Sequence, residues 1–268
     1  MSLLLPPVLL AGCGRMGGAM LAAWCELGLA PSVVVDPAPR LPPGSAPLTV
    51  VAEAGAVPAG FAPAAVILAV KPQQAAAVLP QFAPFAGKAV FLSIMAGRTV
   101  AGMRAALGQF AAVVRAMPNT PAAIRAGTTV VCAGPGVDAG QRRLCDSLLA
   151  AVGQVAWVEE EGLLDPVTAL SGSGPAYVFL LAELLERAGV EQGLPAGLAR
   201  LLARRTISGA GALLDASPED AAQLRAAVTS PGGTTERALA VLMEQHAWPE
   251  SVSRALAAAT ARSRALAG

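Results

Sequence analysis

Lysine is nearly absent from this chain: of 19 basic residues, only Lys71 and Lys88 are lysines. Histidine occurs once, at His246, and asparagine once, at Asn119. Charged residues make up 14% of the 268 positions and the net charge is +1, with no basic cluster longer than Arg142-Arg143 or Arg204-Arg205. Such a surface has no track for a polyphosphate backbone, so nucleic acid is not an expected partner. One histidine and four cysteines (Cys13, Cys25, Cys132, Cys145) with no C-x-x-C pair leave no metal spacing. The cysteines read as small core residues in a reducing compartment, which suggests the cytoplasm. The apolar start Met1 to Leu10 lacks a positive n-region and is not read as a signal peptide. Proline or glycine interrupts every long uncharged stretch, Gly55 to Val70 included, so no membrane span is expected.

Hydrophobic residues are abundant, at 54%. With so little polar surface, the chain is expected to form a very compact body or to bury apolar faces between subunits. Val8-Leu9-Leu10-Ala11 runs into Gly12-Cys13-Gly14-Arg15-Met16-Gly17, then a helical pattern from Ala19 to Leu27, then Ser32-Val33-Val34-Val35-Asp36. That is strand, G-x-G-x-x-G, helix and strand, with an acidic residue 19 positions beyond Gly17. The first glycine makes the turn, the second clears room for a pyrophosphate, and the third lets helix and sheet approach. A dinucleotide site is expected there. Asp36 is placed to accept adenosine ribose hydroxyls and repel a 2′-phosphate, while Arg40 is near enough to offset one, so NADPH or NADH remains open.

Further strands are expected at Leu48–Val51, Ala65–Val70, Ala89–Ser93, Ala111–Arg115, Thr128–Ala133 and Val155–Val158. Helices are expected between them at Gln73–Leu79, Val100–Leu107 and Ala139–Val152. The alternation predicts an α/β fold with a mostly parallel, doubly wound Rossmann sheet. Ligands of such sheets bind beyond the carboxyl ends of the strands. Three of those ends carry Ala69-Val70-Lys71-Pro72-Gln73, Ile94-Met95-Ala96-Gly97 and Met117-Pro118-Asn119-Thr120-Pro121.

After Val158 no further strand is expected. Domains are placed at 1–160, binding the dinucleotide, and 161–268, all helical. The helix around Tyr177-Val178-Phe179-Leu180-Leu181-Ala182 is apolar nearly all round and is expected to be buried in a subunit interface. Thr168 to Tyr177, with Ser171 and Ser173, reads as a break between helices offering small donors. Val228 to Glu236 reads as a loop that becomes a helix, with Thr234 or Thr235 as its cap. Pro231, Gly232 and Gly233 let its main-chain amides converge at the positive end of a helix dipole, a seat for a carboxylate or phosphate.

These signatures together resemble the pyrroline-5-carboxylate reductase family of proline biosynthesis, over nearly the whole chain. The specific blocks are Thr168 to Tyr177 and Thr229 to Thr235, since Rossmann glycines are widely shared. The resemblance implies a Rossmann domain plus a helical domain that interleaves with a second subunit, in a homodimer or a higher assembly of dimers. It implies hydride transfer from NADPH or NADH to the C=N bond of a cyclic imino acid, giving L-proline. By the same resemblance, Gly12 to Gly17 hold the pyrophosphate, and Ala69, Val70, Lys71, Pro72, Met95 and Asn119 face the ribose and nicotinamide. Thr168, Ser171 and Ser173 wall the substrate, Ser230, Gly232, Gly233 and Thr234 bind its carboxylate, and Thr235 contacts the ring nitrogen. Two departures concern the adenosine side: no asparagine follows the third strand, and Asp36 stands where members favouring NADPH usually carry polar or basic residues.

The chemistry agrees with the residues available. A hydroxy-acid dehydrogenase needs a strong proton carrier near its carbon–oxygen bond, and the helical half has no lysine. A cyclic imine can bind already protonated, which leaves the protein to orient it. Alternatives are another Rossmann-plus-helical oxidoreductase or a non-catalytic dinucleotide sensor.

Overall fold

The computed structural model describes residues 5–43 and 47–267, so the first four positions of the apolar start lie outside the described residues. Eight apolar runs form β1 (Val8–Ala11), β2 (Ser32–Val35), β3 (Leu48–Val51), β4 (Ala65–Leu68), β5 (Val90–Ser93), β6 (Ala112–Met117), β7 (Gly127–Ala133) and β8 (Gly153–Val158). They join in one sheet of order β3-β2-β1-β4-β5-β6-β7-β8. The first six strands pair in parallel, and their order reverses at β1 and β4, as in doubly wound dinucleotide folds. The expected mostly parallel sheet therefore forms, with one departure. β7 lies antiparallel to β6, and β8 follows β7. Connection length explains this: between Met117 and Gly127 the chain holds only a 3-10 stretch, Thr120–Ile124, whereas a parallel crossover takes a dozen residues or more.

Helices α1 (Arg15–Glu26), α2 (Ala75–Val78), α3 (Val100–Leu107) and α4 (Ala139–Ala150) cover the sheet. Successive strand residues point to opposite faces, so the central strands feed two cores. Leu10, Val34, Ile67 and Leu92 pack with Met20, Trp24 and Leu148, while Leu9, Val33, Val66 and Phe91 pack with Phe82, Met103 and Leu107. Burial on both faces is why β1, β2, β4 and β5 read as near-continuous apolar runs. The helix expected at Gln73–Leu79 is a single α turn between two 3-10 stretches, Pro72–Gln74 and Leu79–Phe85, because Pro80 and Pro84 withhold helical donors.

Trp24 is fully buried, and its indole Nε1 donates to the Leu148 carbonyl at 2.7 Å, tying α1 to α4. Trp24→Phe leaves that carbonyl unpaired and is expected to cost about 1–3 kcal/mol in a urea titration. A change within experimental error would mean that α1 and α4 are held by packing alone.

Contacts divide the chain into two compact units: Met1–Gly172 with Ala259–Gly268, and Ser173–Ala258. The segment after β8 stays with the sheet for identifiable reasons. Glu161 Oε1 accepts from Arg115 Nη1 at 2.9 Å and from the Val100 amide at 2.7 Å. Following it, α5 (Leu164–Val167) leads into a π turn at Thr168–Gly172. The Ser263 hydroxyl donates to Asp165 at 2.7 Å, and Leu266 lies against Gly97.

The second unit is helical throughout, comprising α6 (Gly174–Glu191), α7 (Ala196–Ala216), α8 (Ala221–Ala227), α9 (Thr234–Leu242) and the early turns of α10 (Trp248–Ala267). Within this single chain α6 is exposed, with Phe179 at 67% and Leu180 at 52%, which leaves its apolar surface open for the subunit interface in which its burial is expected. Glu161–Glu191 also forms one helical run of 31 residues, long and apolar enough to cross a membrane by length and composition. This corrects the expectation that proline and glycine break every such stretch. Pro175 falls in the first turn of α6, where no intrahelical donor is lost, and the π turn carries the helix through Gly172.

Candidate functional site

The glycine turn after β1 is built by close backbone approaches. Gly12 has φ +91°, and a Cβ there would stand 2.7 Å from the Ala69 carbonyl carbon. At Gly17 a Cβ would stand 2.3 Å from the Gly12 carbonyl oxygen. Gly14 differs: it is the N-cap of α1, makes no side-chain cap, and faces open space, with nothing within 4 Å of a would-be Cβ. Two glycines thus let the backbone close up while the third keeps room in front of unpaired helix-end amides, which fits a pyrophosphate. Cys13 is the hub of the turn. Its N–H donates to Asp36 Oδ2 at 2.6 Å, its carbonyl accepts from the Arg40 amide at 2.8 Å, and its Sγ lies 3.4 Å from the Arg40 carbonyl.

In front of this turn lies a cleft of about 420 Å³. Of the residues expected to bind the dinucleotide, the structure brings Gly12, Gly14, Asp36, Ala69, Val70 and Lys71 to its wall. Cys13, Arg15, Met16, Gly17, Pro72, Met95 and Asn119 are not on that wall. Cys13 and Gly17 are buried in the turn, and Arg15 is exposed at the start of α1. Met95 is only 2% exposed and packs in the core, so its side chain does not face the cleft. The cleft also contains Glu53, Gln74 and Gln81, which sequence reasoning did not single out. Glu53 follows β3, the place where an asparagine was sought, and a glance for any polar residue there would have found it.

Arg98 was missed as well. Its Nε and Nη2 both reach the Pro72 carbonyl, at 3.0 and 2.6 Å, bracing the loop after β4 against the loop after β5. That brace places the Lys71 backbone beside the cleft. No short-range sequence signal marks such a contact.

Asn119 links two expected groups. Its Nδ2 donates to the Ser171 hydroxyl at 3.2 Å, and its Oδ1 accepts from the Thr128 amide at 2.9 Å. Ser171 sits in the π turn with Thr168, whose hydroxyl donates back to the Leu164 carbonyl at 2.6 Å. π turns inside α-helices are common at functional sites.

Ser173 is the N-cap of α6 without a side-chain bond, and the remaining candidates lie between α8 and α9. Gly232 has φ +70°, a conformation that favours glycine. Gly233, not Thr234 or Thr235, is the N-cap of α9, in an extended conformation with no side-chain cap. The threonines therefore begin the helix, because Gly233 already makes the turn that a capping side chain was expected to stabilise. Glu236 is a further missed residue: its Oε2 accepts the Gly232 amide at 2.8 Å, while the Gly233 amide donates to the Ser230 carbonyl at 3.0 Å. The Gly232 amide, expected to bind a carboxylate, holds the chain's own.

No cluster of metal-ligating side chains exists among the described residues. No disulfide joins the four cysteines; burial raises the Cys13 and Cys132 thiols and pushes Cys145 up to about 12, so those three stay protonated near neutrality.

Residues 161–266 match a protein-family profile described as pyrroline-5-carboxylate reductase dimerisation. The chain is 42% identical over 203 residues to a pyrroline-5-carboxylate reductase of Pseudomonas aeruginosa, covering 75% of this chain and 74% of that one. It is 41% identical over 201 residues to the enzyme of the same name from Synechocystis, with 75% and 74% covered. Among solved structures, a pyrroline-5-carboxylate reductase from Coxiella burnetii superposes with a TM-score of 0.88 at 32% identity, covering 98% and 99% of the two chains. A pyrroline carboxylate reductase from Plasmodium falciparum, solved with NADP bound, gives 0.83 at 27% identity over 98% and 100%.

Proposed function

The chain belongs to the pyrroline-5-carboxylate reductase family, and we propose a division of labour among its residues for that family's reaction. It is an NAD(P)H-dependent oxidoreductase that reduces the C=N bond of 1-pyrroline-5-carboxylate to give L-proline. In our reading, residues 1–160 bind the dinucleotide, and residues 161–268 bind substrate and form the dimer. Gly12 to Gly17 would hold the pyrophosphate at the N-terminus of α1, with Asp36 at the ribose and the loop from Ala69 to Pro72 along the cleft. Met95 would contribute backbone, and Asn119 would orient Ser171. When bound, the reduced nicotinamide supplies the hydride.

On the substrate side, Ser230, Gly232, Gly233 and Thr234 would bind the carboxylate, Thr168, Ser171 and Ser173 would wall the ring, and Thr235 would hydrogen-bond its nitrogen. The single observation carrying this half is the Glu236 carboxylate on the Gly232 amide. It supports an anion seat there, since a helix N-terminus with a left-handed glycine favours a bound anion, and the substrate carboxylate would take the place of Glu236 on that amide. The imine nitrogen needs no strong acid if the ring arrives protonated. What the chain provides is orientation, a hydrogen bond at nitrogen, and fixed dipoles around a small ring.

Purified protein is expected to oxidise NAD(P)H only when the cyclic imino acid is supplied; no turnover with either cofactor would reject the reading. Thr235→Ala is expected to lower kcat roughly ten- to hundredfold while cofactor affinity stays within about twofold. Unchanged kcat would remove Thr235 from the nitrogen.

The assembly is read as a homodimer or a set of such dimers. Its support is the apolar surface left open on the second unit, where a groove of about 380 Å³ runs between α6 and α10, lined by Tyr177, Leu181, Trp248 and Val252. Cysteines that form no disulfide suit a cytoplasmic location.

A further inference from the structure

We propose that this enzyme selects NADH over NADPH, and that the selector is two carboxylates on the wall of the cleft, Asp36 and Glu53. The inference rests on the reading above, in which the cleft beside the glycine turn takes the dinucleotide.

Asp36 follows β2 and is fixed in place. Its Oδ2 accepts the Cys13 amide at 2.6 Å and its Oδ1 accepts the Ala38 amide at 2.8 Å. Each oxygen keeps a second lone pair, so the carboxylate can still accept from a sugar hydroxyl. Because two backbone donors hold it, the side chain cannot swing away from an incoming anion without breaking the bond that shapes the glycine turn. Glu53, just after β3, lines the same cleft.

The cations are elsewhere. Lys71 is the one basic residue on the cleft wall, and it belongs with Ala69 and Val70 on the β4 side. Arg40 was the sequence candidate for offsetting a 2′-phosphate. Its backbone is docked on Cys13, and it is exposed and absent from the wall, as is Arg15. A 2′-phosphate carries about −1.5 to −2 charges near neutral pH. Set beside a fixed carboxylate, with Glu53 on the same wall, it meets like charge and is repelled. A 2′-hydroxyl at the same place donates a hydrogen bond instead.

The test is direct binding of NADH and of NADPH to the full-length protein without substrate, followed by fluorescence or calorimetry. Parallel titrations use Asp36→Asn, which keeps one acceptor and removes the charge, and Glu53→Gln at an exposed position. The parent protein is expected to bind NADH at least about tenfold more tightly. Asp36→Asn should narrow the ratio about tenfold, mainly by gaining NADPH affinity, and Glu53→Gln about threefold. Raising ionic strength should narrow the ratio in the parent protein, which keeps the test available if Asp36→Asn does not fold. NADPH binding as tightly as NADH, or a ratio unmoved by both substitutions and by salt, would overturn the proposal while leaving the reductase reading intact. If neither dinucleotide binds, the reading of the cleft fails and the proposal falls with it.

Discussion

Glu161→Ala is expected to melt far below the parent protein. The Arg115 guanidinium is 5% exposed on β6, and Glu161, 29% exposed, is its carboxylate partner at 2.9 Å. The same oxygen caps the Val100 amide at the start of α3. Removing it leaves a charge in the interior and an unpaired helix-end donor, which together are expected to cost about 3–5 kcal/mol. For a unit of this size that is a fall in Tm of roughly 6–20 °C. Trp24 and Trp157 belong to this unit, so their fluorescence reports its unfolding. Replacing both partners, Arg115→Met with Glu161→Leu, should recover most of the loss, because an apolar pair leaves no stranded charge. A single substitution that melts within 2 °C of the parent would show, by the same relation, that solvent screens the pair.

Gly17→Ala and Gly14→Ala are expected to separate folding from binding. A Cβ on Gly17 would stand 2.3 Å from the Gly12 carbonyl oxygen and 3.3 Å from Ala69 Cβ. Backbone must move to admit it, so α1 shifts against the turn, destabilising the first unit by about 1–3 kcal/mol or more. A displaced turn cannot present the same amides, and dinucleotide affinity should fall by about a hundredfold or more. At Gly14 nothing lies within 4 Å, so Gly14→Ala should melt within about 2 °C of the parent. Its methyl would still enter the space left for the pyrophosphate, and affinity should fall at least about tenfold. Equal affinity in the Gly14 variant would mean that phosphates do not approach α1 at its cap.

Much of this fold is legible because local and global preferences agree. The central strands β1, β2, β4 and β5 bury both faces and so appear as apolar runs, and α3 begins and ends where its pattern does, at Val100 and Leu107. The glycine turn was readable because steric need at Gly12 and Gly17 leaves one residue type. What escaped was long-range or geometric. Arg98 reaching Pro72 and Glu161 reaching Arg115 are contacts between segments with no shared pattern. Gly233 replaced a threonine as the cap of α9 because backbone conformation decided it, not side-chain preference. The apolar surface of α6 is plain in the sequence, and within one chain it stays exposed at Phe179 and Leu180.

The reversal of β7 has a consequence for where this protein can change. A seventh parallel strand would have delivered its trailing loop to the ligand edge. The reversed strand presents its leading end there instead, and the Thr128 amide steadies the Asn119 side chain. The connection over residues 134–138 is thereby turned to the opposite rim of the sheet, away from the proposed site. Evolution or an engineer could lengthen that stretch, or graft a tag into it, without touching the chemistry.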